Sequence, residues 1–464
     1  MEKIHNTNGD VLMEVSPLID FRYKNSVQSA LQIVDTPLHT KNKNGQHKEK
    51  QVELSPIHDF SAKLRQPSII NTLKEYVNWQ VKWRDAYAEG KSIEEILEQA
   101  PNHAPLSVNL DVTTACNYRC DHCVDMDILN TGIRYEHERL KNSLTTLIDR
   151  GLRSVIIIGG GEPTVYPGFA DIVKHLKARD IQIGVVTNGS RMDRIADVAD
   201  VLTKGDWVRL SLDSGDNDTF RAMHKPVSKK VTLDWICSHI PDIKKINPDF
   251  QIGYSFIVVW RDCEANDTEI IDNTNEIIEA AKRAKQYEFD YISYKPFLTR
   301  AEENNAEVVN LTQEEQSIDS IIKKIRTSID ETKQLENETF SVIESTNLRV
   351  LENGSYKDFI DQPGTCHMQY FRQVLSPLGV FNCPVYRHVP QALVGGKHEY
   401  ENKDLFEETQ KNTLRLIEAF DASRECRNVT CLYNHANWLI EDLIKHPEKL
   451  ETLEVSNERH DYFL

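Results

Sequence analysis

Residues 107–123 read SVNLDVTTACNYRCDHC: an apolar strand-like run followed at once by a loop carrying Cys116, Cys120 and Cys123 in the spacing CxxxCxxC. Three thiolates on so short a loop can converge on one metal group. A [4Fe–4S] cube normally takes four cysteines, so three close ligands would leave one iron open to a ligand from outside the protein. The competing reading is a zinc site. It would need a fourth ligand such as His122, and the position of His122 beside Cys123 in the same tight loop makes a tetrahedron around one ion awkward.

Outward from this loop, β-branched runs alternate with helical patterns, the mark of parallel strands joined by crossover helices. Six strands are expected, at Ser107 to Thr113, Ser154 to Ile158, Gln182 to Thr187, Trp207 to Asp213, Gln251 to Val259 and Tyr291 to Pro296. Helices such as His137 to Arg150 and Asp267 to Lys285 lie between them. Six units predict an α/β fold, an open partial (β/α)6 TIM-like barrel. Chemistry in such barrels sits just after the strands.

The segments after the next strands carry matching signals. Gly159-Gly160-Gly161-Glu162-Pro163 follows the second strand, and three glycines let backbone approach a ligand closely. The run lacks the lysine of a P-loop and the spacing of GxGxxG, so its alternative is a plain turn. Thr187-Asn188-Gly189 ends the third strand and reads either as a turn or as a polar contact. On the fourth strand Ser211 and Asp213 alternate onto one face, with Arg221 eight residues beyond.

These motifs together resemble the radical SAM (S-adenosylmethionine) superfamily over about Leu106 to Phe297. The resemblance implies that Cys116, Cys120 and Cys123 hold a [4Fe–4S] cluster whose open iron chelates SAM. It also implies SAM contacts from Gly160, Gly161, Glu162, Pro163, Asn188, Ser211, Asp213 and Arg221, with Glu162 meeting the SAM amino group as a charge-assisted pair. One departure is His122, where the family often has an aromatic residue.

Beyond Gly364 a second cysteine group begins. Cys366 and Cys383 flank HMQYFRQVLSPLGVFN, whose Pro377 and Gly379 between apolar runs predict a hairpin. Cys426 and Cys431 precede a terminal helix, and four thiols would complete a closed cluster. Zinc through the same four is the alternative. The arrangement is similar to the twitch or half-SPASM extension of radical SAM enzymes, which implies one auxiliary [4Fe–4S] cluster. His435 could replace one thiol, but a lone histidine near a helix start is more often structural. Cys237 reads as a core residue and Cys263 as a loop thiol near the barrel mouth.

The expected organisation is an N-terminal extension over 1–104, partly irregular then helical, a barrel over 105–300, a helical linker over 301–360 and a small α+β cysteine-rich auxiliary-cluster domain over 361–464. The polar run His39 to Lys50 reads as a loop. The helix over Ile70 to Glu89, and a shorter one opened by a Ser92/Glu95 capping box, are expected to pack on the barrel.

The 55 basic and 72 acidic residues give a net charge of −17, which argues against nucleic acid as partner. No apolar run is long enough to span a membrane and the opening residues are polar, so a cytoplasmic, unexported protein is expected. Nine cysteines in tight groups fit metal ligation in a reducing compartment better than a disulfide framework. The resemblance implies an electron donor of flavodoxin or ferredoxin type, reductive cleavage of SAM, and hydrogen-atom abstraction from substrate by an oxidoreductase or lyase. A small polar metabolite of sugar or aminocyclitol type is the leading substrate. A precursor peptide handled by a SPASM-type maturase is the second reading, and a non-catalytic iron–sulfur or zinc protein the third.

Overall fold

The computed structural model describes residues 39–41, 47–49, 58–265, 268–300, 307–308, 315–354 and 359–464. The N-terminal stretch 1–38, expected from sequence to be irregular, lies outside them. Within the polar run read as a loop, His39–Lys41 and His47–Glu49 instead pair as a short antiparallel ribbon. The signal was present in sequence, since Asn44-Gly45 between them is a hairpin-turn dipeptide.

One ten-stranded sheet organises the molecule. In chain order its strands are β1 (Ser107–Leu110), β2 (Ser154–Ile157), β3 (Gln182–Thr187), β4 (Trp207–Ser211), β5 (Gln251–Val258), β6 (Tyr291–Pro296), β7 (Ser341–Glu344), β8 (Arg372–Ser376), β9 (Gly379–Phe381) and β10 (Leu393–Gly395). They lie side by side as β7-β6-β5-β4-β3-β2-β1-β8-β9-β10. Neighbours from β7 to β8 are parallel, whereas β8, β9 and β10 pair antiparallel. The chain is thus mixed α/β with a parallel-dominated sheet, as the alternating pattern predicts.

The six expected strands are β1 to β6, with β1 ending at Leu110 rather than Thr113. Two more parallel strands extend the sheet. The four-residue β7 falls within the stretch read as a helical linker, and so short a run leaves no period to detect. β8 is the first arm of the expected hairpin and docks on the free edge of β1, where Leu375 pairs with Leu110.

Strand alternation sorts the barrel side chains. Val108, Leu110, Val155, Ile157, Ile183, Val185, Val208, Leu210, Ile252 and Ile292 are fully buried in the main apolar core. They face the crossover helices α2 (His137–Ile148), α3 (Phe169–Lys177), α4 (Met192–Ala199), α5 (Asn217–His224) and α6 (Ile277–Gln286). The last begins later than the expected Asp267. Among the intervening positions on the other face, Asn109, Asp111, Arg209, Ser211, Ser255, Ser293 and Lys295 bring polar groups to a lumen they share with Ile156, Val186 and Ile257.

A second apolar core corrects one expectation. The N-terminal helix α1 (Ile70–Ala88) contributes Leu73, Tyr76, Val77 and Trp83 to a cluster with Tyr370, Phe371, Ile417 and Ile440, and so packs on the C-terminal unit. Tyr76 stacks on Tyr370 with ring centroids 4.5 Å apart. Helical spacing shows that a face is buried, not what buries it. The Ser92/Glu95 capping box forms as predicted. At the N-terminal ends of the strands the chain terminus crosses the barrel floor: Ser154 Oγ donates to the Tyr462 carbonyl (2.7 Å), and Phe463 packs on Trp207.

Candidate active site

The loop after β1 carries Cys116, Cys120 and Cys123, all half-buried. The Cys116 amide donates to Asn130 Oδ1 (2.9 Å) and fixes the loop's entry. Burial, then the neighbouring Cys123 and Cys116, push the Cys120 thiol well up. Burial and Asp125 push Cys123 up to about 12, and burial with Glu162 beyond it pushes Cys116 up to about 11. Burial thus favours the neutral thiol at all three positions, and only a bound cation would hold them as thiolates.

Spacing bears on which metal. Among the described residues one group, Cys120, His122 and His224, brings its ligand atoms within 4.8 Å of one another, and it uses one of the three motif thiols. The three thiols are not drawn together at the roughly 3.8 Å separation that a tetrahedral zinc with 2.3 Å bonds requires.

The glycine loop after β2 lies directly against the cysteine loop. Gly159 and Gly160 take left-handed backbone angles, φ +76° and +69°. A Cβ on Gly161 would stand 2.2 Å from the Ala115 carbonyl oxygen, so only glycine permits this approach. The Glu162 amide donates to that same carbonyl (2.9 Å). The Glu162 side chain is buried and accepts from the Thr164 amide (3.0 Å), Thr187 Oγ1 (2.6 Å) and the Asn188 amide (2.7 Å). Pro163 opens the turn that follows. Asn188 Nδ2 donates to Asn117 Oδ1 (3.0 Å), which ties the end of β3 to the cysteine loop.

Ser211, the last residue of β4, is half-buried; beyond it Asp213 is fully buried and Arg221 exposed on α5. Asp213 adopts φ +48°; its Oδ1 accepts from the Ile257 amide (2.7 Å), and its Oδ2 faces His122 Nε2 (3.3 Å) and His224 Nε2 (3.4 Å). Burial opposes its ionisation, but the two histidines win and hold its carboxyl well below the usual range. Its observed partners are therefore the cysteine loop, α5 and the β5 backbone.

Four further residues escaped the sequence reading. Asp111, Asp125 and Arg387, all buried, and the half-buried His388 meet beside the glycine loop. Arg387 Nη2 donates to Asp125 Oδ2 (2.9 Å), as does the Gly160 amide (3.2 Å). His388 lies 3.6 Å from a carboxylate oxygen of Asp111 and of Asp125. The one signal was Asp111 itself, a carboxylate inside an apolar strand. Arg387 and His388 arrive from the far side of the β8–β9 hairpin, and nothing local marks them.

In the C-terminal unit Cys366 is buried, and Cys383, Cys426 and Cys431 are half-buried against the second core. After burial itself, the mutual charges of these thiols are what push Cys426 and Cys431 well up. Asn437 Nδ2 donates to Cys366 Sγ (3.6 Å). No three of the four sulfurs lie within 4.8 Å of one another among the described residues, again wider than a closed zinc site. His435 and Phe359 meet edge-to-face, with ring centroids 5.2 Å apart. Cys237 and Cys263 are buried in the main core.

With this geometry in place, comparison with known proteins identifies the class. Residues 110–294 match the Radical SAM superfamily, and the chain carries a radical SAM domain. It is 34% identical over 112 residues to an S-adenosylmethionine-dependent nucleotide dehydratase of a Thermoplasmatales archaeon, covering 24% of this chain and 38% of that protein. It is 33% identical over 126 residues to the mycofactocin maturase MftC of Mycobacterium tuberculosis, covering 25% and 31%. The matches thus span about a third of these relatives' length. Among solved structures, Streptococcus suis SuiB aligns over 80% of this chain and 87% of its own at 14% identity, with a TM-score of 0.46.

Proposed function

We propose that this chain is a radical SAM oxidoreductase or lyase, with Cys116, Cys120 and Cys123 holding a SAM-binding [4Fe–4S] cluster, acting on a small polar metabolite of sugar or aminocyclitol type. The observation that carries the reading is the contact of two loops. Gly161 and the Glu162 amide close on the Ala115 carbonyl, one residue before the first cysteine. When bound and supplied with one electron by a flavodoxin- or ferredoxin-type donor, the cluster and SAM provide a 5′-deoxyadenosyl radical.

The chain's own residues shape the setting. The glycine backbone offers a close, side-chain-free surface for the amino-acid end of SAM, while Ser211 and Asn188 stand at the ends of neighbouring strands. Glu162 holds the glycine loop, β3 and the turn after Pro163 in register through its hydrogen bonds. The polar lumen supports a small hydrophilic substrate.

Cys366, Cys383, Cys426 and Cys431 form the second metal centre, an auxiliary [4Fe–4S] cluster, supported by their mutual electrostatic influence. The barrel over 105–300 and the cysteine-bearing unit over 361–464 then act as two functional parts. Nine free thiols suit a reducing cytoplasm. No helix among the described residues is long and apolar enough to cross a membrane.

The test is anaerobic reconstitution with iron and sulfide, addition of SAM and a strong reductant, and detection of 5′-deoxyadenosine. Wild type is expected to form it, and a Cys116→Ala, Cys120→Ala, Cys123→Ala triple variant is not. A fully loaded wild-type protein that leaves SAM intact overturns the reading.

A further inference from the structure

Besides the buried carboxylates near its mouth, the barrel lumen gathers basic side chains. The protein as a whole is strongly acidic, yet Arg209 on β4, Lys295 on β6 and Arg372 at the start of β8, all half-buried, bring three basic side chains toward the barrel interior, where burial and then Arg209 push the Lys295 amine well down until an anion joins it. Among the described residues no carboxylate forms an ion pair with any of the three. Arg372 donates to Asn109 Oδ1 (2.7 Å) and to the Tyr433 hydroxyl. Arg209 lies over the Trp207 ring, 5.1 Å from its centroid. The Nε atoms of Arg209 and Arg372 are buried without a hydrogen-bond partner.

Position along the strands orders this chamber. Arg209 stands level with Gly253 and Tyr291, and Lys295 lies four residues, about 13 Å, nearer the mouth at the level of Ile257. Gly253 leaves room that the Tyr291 ring fills, since a Cβ there would meet that ring at 2.1 Å. Ser255 and Ser293, both buried, add small hydroxyls between the two cations. Asp213, the carboxylate whose charge reaches both Arg209 and Lys295, is already engaged by His122, His224 and the Ile257 amide.

The local potential registers this imbalance. After burial itself, Lys63, Lys295, Arg209 and Arg372 together push the His58 imidazole down to about 3. Lys63 is neutralised by Asp461 (2.9 Å), but the other three have no such counter-charge. Burying cations without anions is costly, and an orphaned guanidinium N–H adds to the cost. A ligand that brings negative charge and several acceptors relieves both.

We infer that the lumen between Arg209 and Lys295 receives an oxyanion of the substrate, a phosphate or carboxylate group, with Arg372 as the third cationic wall. The inference rests on the proposed function and narrows it: the polar metabolite carries an acid group, held inside the barrel while its reacting carbon lies nearer the cysteine loop. Arg209 and Lys295 are then specificity-determining residues, with charge-assisted hydrogen bonds to the anion.

The test is calorimetric titration of the reconstituted protein, without reductant, with sodium tripolyphosphate in one arm and sodium citrate in the other. Wild type is expected to bind at least one saturably. Arg209→Gln and Lys295→Gln should each weaken that binding by about tenfold or more. Arg209→Lys should retain part of it, and Lys245→Gln, on the exposed surface, all of it. The responding arm tells phosphate from carboxylate. Absence of saturable binding to wild type, or equal affinity in Arg209→Gln and Lys295→Gln, overturns the inference. A parallel loss of SAM affinity in both variants also overturns it, since the cations would then serve the cofactor's own carboxylate. Because no turnover is involved, failure here leaves SAM cleavage standing, and missing 5′-deoxyadenosine with intact oxyanion binding strikes the cleavage reading alone.

Discussion

Cys120 and His224 stand 104 positions apart in the chain, and Cys120 Sγ meets His224 Nδ1 at 3.2 Å. The other ring nitrogen of His224 faces the Leu212 carbonyl (3.0 Å) and Asp213. A fully buried imidazole thus braces one of the three motif thiols from α5, across the end of β4. Residues that orient a metal ligand typically change affinity or activity by about 10- to 100-fold when removed. His224→Leu is accordingly expected to slow 5′-deoxyadenosine formation by about tenfold or more, while iron at the C-terminal cysteines stays constant. Product quantitation beside iron analysis reads both.

Gly161 supplies a sharper steric test. A methyl group there meets backbone, not a yielding side chain. Gly161→Ala is expected to force the glycine and cysteine loops apart and to cut SAM affinity by about tenfold or more, a loss of at least ~1.4 kcal/mol of binding. Equilibrium dialysis with labelled SAM measures it. Unchanged affinity would mean that the loops do not form one pocket.

Iron content separates the two centres. Wild type is expected to carry about eight irons, four for each cube. Cys383→Ala should lower the count to about four while 5′-deoxyadenosine still forms, and Cys237→Ala, in the main core, should leave the count unchanged. A wild-type count near four with all C-terminal thiols open to alkylation counts against the auxiliary cluster.

The interface between α1 and the C-terminal unit predicts a pH effect. Arg84 grips Glu441 through two hydrogen bonds (2.9 and 2.8 Å) beside His367, while nearby Glu418 accepts from Gln80 Nε2 at 3.3 Å. Burial pushes Glu418 up to about 7. A carboxyl raised on folding holds its proton in the native state, so its stabilising contribution is full below about 4.5 and is lost as pH climbs to about 7. A shift of that size corresponds to about 3 kcal/mol. Glu418→Gln keeps the neutral form at every pH. It is expected to raise stability over wild type by about 1–3 kcal/mol at pH 8 and to match wild type near pH 4.5, as read by denaturant midpoints. A variant less stable than wild type at pH 8 would contradict the sign.

Much of the barrel was legible in the chain because its signals are local. Short β-branched runs between helical patterns mark β1 to β6, the CxxxCxxC loop follows β1 without interruption, and Gly159-Gly160-Gly161 declares a backbone that must approach something closely. Side-chain geometry over a few residues is enough to write these patterns, so they survive without any knowledge of the fold. Tertiary structure alone decided which distant pieces complete them. β8 adds to the edge of β1, Arg387 and His388 reach Asp125 and Asp111, and α1 buries its apolar stripe on the C-terminal unit. His224 backs Cys120, and Arg209 and Lys295 share one lumen. Each of those is a pairing across tens to hundreds of residues, settled by which faces remain unburied after the local elements have formed, and no nearest-neighbour rule encodes that choice.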